Sequence, residues 1–144
     1  MYESILVPTD GSEISATAAE EAIELADDGG TIHALAVVEA LPMYKQSGKG
    51  AKLEGSDESE ARAYLTDATD RIEAMADDAG VDCETKITSG VPHREIVSYA
   101  EENDADVIVM GKRGQGAAAN DILGSTTERV VERSSSKVLT VPEA

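Results

Sequence analysis

The chain contains no phenylalanine and no tryptophan, and four tyrosines are its only aromatic rings. Its core must therefore be built from Val, Ile, Leu, Ala and Met, small aliphatic side chains that suit helices packed closely on a sheet. Cysteine is nearly absent as well: Cys83 stands alone, which excludes an internal disulfide and any zinc cluster made of thiolates. It lies in the alternating stretch "VDCETKI", where the ordinary role is that of a small buried hydrophobe, in a reducing setting. No apolar stretch approaches the ~18 residues that a membrane span needs, and the opening "MYESILVPTD" has neither a basic region nor a leader cleavage site. A soluble, cytoplasmic protein is the expectation.

Basic residues are scarce. Twelve Lys and Arg face twenty-nine Asp and Glu, giving a formal charge of -17 and a pI near 4.3. A surface of that sign repels polyanions, so neither nucleic acid nor an anionic membrane is an expected partner. The acids run along all the helical segments instead of gathering in a tail. That spread favours adaptation to a salt-rich (halophilic) cytoplasm, where screening shortens repulsion to a few Å, over solubility alone.

At 144 residues the chain is long enough for one domain that buries about 70% of its unfolded surface, and no repeat, linker or boundary divides residues 1–144. "SILVP" near the N-terminus reads as a buried strand. Ser12 caps a helix carrying Ala18, Ala19, Ala22, Leu25 and Ala26 at helical spacing, with Gly29 and Gly30 predicted to stop it. "TIHALAVVE", residues 31–39, reads as a strand covered on both faces. From 40 to 56 no period holds, and a long mobile loop is expected; Lys45, Lys49 and Lys52, half of the six lysines, fall there.

Asp57 and Glu60 make a capping pair for an amphipathic helix through Ala61, Leu65, Ala68, Ile72, Met75 and Ala79. "DCETKIT" alternates, as an edge strand would. Pro92 opens a third helix ending near Asn103 with Ile96 and Ala100 inward, and "ADVIVMG" is an apolar fourth strand. Ser125 and Glu128 read as a capping box for a last helix before the strand "KVLTVP". Five strands alternating with four helices predict an α/β fold, an open five-stranded parallel sheet with helices on both faces.

Ligands in such sheets collect beyond the carboxyl ends of the strands, where helix N-termini present unpaired amides. The stretch "GKRGQGAAANDILGST", residues 111–126, lies at that end of the fourth strand. Its glycines, Gly111, then Gly114, then Gly124 before Ser125, permit close backbone approach to an anion, and Lys112 and Arg113 add positive charge. Neither GxGxxG nor GxxxxGK[ST] occurs in the chain. On spacing alone, a phosphate cradle and a plain long loop both remain open.

The opening "ILVPTDGS", the "SGVPHREI" at the third helix, the G-2x-G-9x-G-[ST] spacing and the closing "GSTTERVV" with "KVLTV" resemble the universal stress proteins, over nearly the whole chain and in the same order. The glycine spacing is similar to the branch that binds ATP. The resemblance implies an adenine nucleotide alpha hydrolase-like, Rossmann-like sheet with strand order 3-2-1-4-5. It implies adenine and ribose near Pro8, Thr9, Asp10 and the backbone of Val37, phosphates near Gly111, Arg113, Gly114, Gly124, Ser125 and Thr126, and Met110 within the same nucleotide-binding set. The implied ligand is ATP with Mg²⁺ or Mn²⁺, and the implied assembly a homodimer through strand 138–141, with the protein partner unnamed.

Asp10 has an alternative role as a turn residue ahead of Ser12. His93, in the first turn of a helix, reads as a surface or capping residue and His33, inside a strand, as structural. No GxSxG, HExxH or paired-acid constellation is present, so the expectation is a nucleotide-dependent regulatory switch with at most slow ATP hydrolysis. The alternative is a dimeric stress module that binds no nucleotide. A phosphorylated receiver domain needs an Asp ending strand three and a Lys ending strand five, where Thr88 and Pro142 stand.

Overall fold

The computed structural model describes residues 2–39, 54–112 and 124–142, with the side chains of 54–58 left aside. The elements run β1 (Tyr2–Pro8), α1 (Glu13–Leu25), β2 (Ala26–Glu39), α2 (Glu54–Asp78), β3 (Asp82–Gly90), α3 (Pro92–Glu102), β4 (Val107–Gly111), α4 (Ser125–Arg133) and β5 (Lys137–Val141). The five strands form one sheet in the order β3-β2-β1-β4-β5, every neighbouring pair parallel. This is the expected fold, with the alternating β3 at one edge and β5 at the other. The loop expected at 40–56 lies outside the described residues up to 53, as do its three lysines.

Alternation along the central strands divides the core. Ile5, Val7, Val107 and Val109 face one side, where Ala18, Ala19 and Ala22 of α1 and Ile72 of α2 cover them. Leu6, Ile108 and Met110 face the other, under Ile96 and Ala100 of α3 and Val130 of α4. Three alanines on α1 let that helix lie close to the sheet, as a chain without Phe or Trp requires. Burying each large aliphatic side chain stabilises the fold by roughly 1.5–3 kcal/mol.

Three boundaries differ from the sequence expectation. Helix α1 ends at Leu25, because Ala26 turns extended (ψ 136°) and pairs with Tyr2. Gly29 and Gly30 therefore do not stop the helix but serve an irregularity in β2, where the register jumps from Tyr2↔Ala26 to Ser4↔Thr31. Gly29 has φ +81°, and a Cβ on Gly30 would stand 3.0 Å from the carbonyl oxygens of both Asp27 and Tyr2. Helix α2 begins at Glu54, so Asp57 lies in its first turn and not at the cap; acidic residues there are favoured by the helix dipole. Its buried face is Leu65, Thr69, Ile72 and Ala76, while Ala79 falls beyond the helix and is exposed. The third difference, at the start of α4, belongs to the site.

Candidate functional site at the carboxyl ends of β1 and β4

Strands β1 and β4 pair in the middle of the sheet, Ile5 with Val107 and Leu6 with Ile108, and their connections depart to opposite faces. Running that register forward sets Pro8 opposite Met110 and Thr9 opposite Gly111. The turn after β1 is tightly bonded. Thr9 N donates to Leu35 O at 2.8 Å, Gly11 N to Thr9 Oγ1 at 3.1 Å, and Ser12 N to Asp10 Oδ1 at 2.9 Å. Asp10 thus accepts a bond within the turn ahead of Ser12. Ser12 caps α1 as expected, accepting from Ser15 N, and the buried Ser15 hydroxyl lies 2.9 Å from Thr9 Oγ1.

Strand β2 outruns β1. Leu35 O faces β1, and backbone groups in a strand alternate sides with a period of two. The amide and carbonyl of Val37 therefore face the same way, past the point where β1 has turned aside at Thr9. Val37 keeps its place in the sheet by register with Thr88 of β3.

At the end of β4 the chain is drawn back on itself. Lys112 N donates to Val141 O at 2.8 Å, Gly124 N to Lys112 O at 2.9 Å, and Thr127 Oγ1 to Gly111 O at 3.0 Å. The two ends of the glycine loop meet, although Arg113 and Gly114 lie outside the described residues. Helix α4 starts at Ser125 with Gly124 as its cap, extended (φ -66°, ψ 155°) and without a side-chain capping bond. The capping box of Ser125 and Glu128 is therefore not formed, since Ser125 occupies the first helical position. The consequence is chemical: the first-turn amides have no intrahelical partner, and among the described residues no side chain caps them. Ser125 is exposed and Thr126 half-buried beside them.

Gly111 is needed for a reason the spacing did not reveal. A Cβ there would lie 2.9 Å from Ile14 Cγ1 and 3.0 Å from Cγ2, so the glycine makes room for the first turn of α1. Tyr64, Ile14 and Thr127 were likewise absent from the sequence-derived site. Only Tyr64 carried a signal, as a large ring off the apolar stripe of its helix.

His93 is buried, at 7% exposure, contrary to the surface or capping role expected of a first-turn histidine. The α3 start is pressed against α4, and burial pushes its pKa down, helped by Arg133, Arg129 and Arg94. His33 is structural as expected: Nδ1 lies 2.8 Å from Tyr99 Oη, and burial lowers its pKa against the opposing pull of Glu84. Cys83 is half-buried against the core, its thiol raised to about 11 by burial and then by Glu73, an unreactive state at neutral pH. Among the described residues no group of three or more His, Cys, Asp and Glu could hold a metal ion, and no helix is long and apolar enough to cross a membrane.

Residues 1–142 match the model of the universal stress protein family, and the chain belongs to that family. It is 36% identical to universal stress protein MJ0531 of Methanocaldococcus jannaschii, covering 98% of this chain and 82% of that protein. The solved structure of MJ0577 superposes with a TM-score of 0.82 at 29% identity, over 100% of this chain and 98% of that one. A universal stress protein solved in complex with cAMP superposes with a TM-score of 0.67 at 30% identity, over 97% of each chain.

Proposed function

We propose that the protein binds ATP at the carboxyl ends of β1 and β4 and acts as a nucleotide-dependent regulatory switch in stress response. The observation that carries the reading is the start of α4, which no side chain of the described residues caps, folded back on the end of β4 by the Gly124–Lys112 bond. An α-helix N-terminus with unpaired amides attracts phosphate oxygens through both hydrogen bonding and its dipole. On this reading Met110, Gly111, Arg113, Gly114, Gly124, Ser125 and Thr126 surround the phosphates. Pro8, Thr9, Asp10 and the outward main chain of Val37 take the adenosine, the Val37 amide and carbonyl matching the donor and acceptor edge of adenine. The relative solved with cAMP supports an adenine ligand for this architecture. Mg²⁺ or Mn²⁺ would enter on the phosphates themselves. The role is binding and signalling, with hydrolysis slow at most.

A second reading, a dimeric module, draws on β5. That strand is an edge, and its Leu139 is 39% exposed. A second copy pairing along 138–141 would cover both the backbone groups and Leu139, and this assembly is compatible with nucleotide binding.

The test is to purify the protein without added nucleotide, release its small molecules and identify them by mass. Adenine nucleotide near one per chain is expected. Titration calorimetry with ATP and Mg²⁺ in molar KCl, where a charge of -17 is well screened, should give a binding isotherm that Gly114→Val and Gly124→Val abolish. Absence of nucleotide and of heat, with both variants behaving as wild type, leaves the dimeric module.

A further inference from the structure

The turn that carries Thr9 and Asp10 is braced from a distant part of the chain. Tyr64 Oη donates to Gly11 O at 3.1 Å, across 53 positions. Gly11 has φ +84°, and a Cβ on it would overlap Cε2, Cζ and Oη of the same ring. The ring is thus seated in the space that the glycine leaves open. Tyr64 does not build the core, since it is 49% exposed while its neighbour Leu65 is buried. In a chain with four tyrosines and no other aromatic residue, one large ring is placed on the outside of this turn.

We infer that Tyr64 is a positioning residue for the adenosine half of the site, holding the Thr9–Gly11 turn through the Gly11 carbonyl and linking it to helix α2. The inference rests on the nucleotide reading above. The bonds inside the turn, Gly11 N to Thr9 Oγ1 and Ser12 N to Asp10 Oδ1, fix its local shape. The Tyr64 bond fixes where that shape sits relative to the end of β1. Among the described residues no hydrogen bond links Gly124 or the start of α4, the phosphate end, to α2, so the two halves of the ligand should respond differently.

The experiment titrates wild type, Tyr64→Phe and Tyr64→Ala with ATP and separately with inorganic tripolyphosphate, and follows amide exchange at Gly11 and Ser12 in the ligand-free proteins. Losing one hydrogen bond should weaken ATP about three- to tenfold in Tyr64→Phe. Tyr64→Ala should weaken it further, while tripolyphosphate affinity stays within about twofold of wild type and exchange in the turn speeds up. Equal weakening of both ligands would indicate a merely structural role and overturn the inference. ATP binding by both variants as tight as wild type would also overturn it, leaving the nucleotide reading intact. Failure of the wild type itself to take ATP sinks both.

Discussion

Substituting Gly111 with alanine separates packing from ligand contact at the most conspicuous glycine of the loop. The backbone of Gly111 does not have a positive φ, so alanine is conformationally allowed and the effect comes from space alone. The new methyl would meet Ile14 Cγ1 at 2.9 Å and Cγ2 at 3.0 Å, with the Ile14 carbonyl carbon at 3.3 Å. Ile14 is buried at 7% exposure in the first turn of α1 and cannot simply swing into solvent. Overpacking of this kind costs about 1–3 kcal/mol, which for a domain of this size lowers the melting temperature by roughly 2–10 °C. Ile14→Ala, which removes both Cγ1 and Cγ2, should alone cost about 2–5 kcal/mol. The double variant should be more stable than the sum of the two losses by at least 0.5 kcal/mol, on the order expected of contacting residues. Denaturant unfolding followed by far-UV circular dichroism, run as a double-mutant cycle, measures that coupling. Additive losses, or Gly111→Ala of wild-type stability with nucleotide binding abolished, would refute the packing argument and return this glycine to the ligand.

Acidification should destabilise the fold through its two histidines. Both have folded-state pKa values lowered by burial, so the unfolded chain takes up protons first as pH falls through about 6.5. Stability is then lost below that pH, at no more than about 1.4 kcal/mol per pH unit per histidine, and His93→Gln should flatten the slope measured by denaturant unfolding between pH 7 and 5.5. A stability profile that is level or rises toward acid in that window contradicts the buried placement. Tyr99→Phe strips His33 Nδ1 of its 2.8 Å partner and should cost about 1–3 kcal/mol in the same assay, whereas a loss below about 0.5 kcal/mol would mean that water replaces the hydroxyl.

The elements legible in the sequence were those set by a local period or by chain connectivity. "VIVM" before a glycine is a buried strand, Ser12 ahead of an alanine-rich stripe is a helix cap, and alternating "DCETKIT" is an edge; all three stand in the structure. The boundaries that were misread have a common cause. Ala26 leaves its helix because Tyr2 of a neighbouring strand offers a ladder partner, and Ser125 yields the cap to Gly124 because Lys112 O holds that glycine. Local propensity is weak against one long-range hydrogen bond plus burial.

The sequence by itself determined the family, the order of strands and helices, and the two chain segments that flank the site, because motif spacing and hydrophobic period are properties of neighbours along the chain. Only the tertiary structure decided what each residue of those segments touches. It turned the Val37 main chain past the end of β1, filled the Gly111 gap with Ile14, buried His93 under α4 and seated Tyr64 on Gly11. Contacts such as Tyr64 with Gly11, 53 positions apart, depend on the packing angle of a whole helix against the sheet, and no periodicity in the sequence encodes that angle.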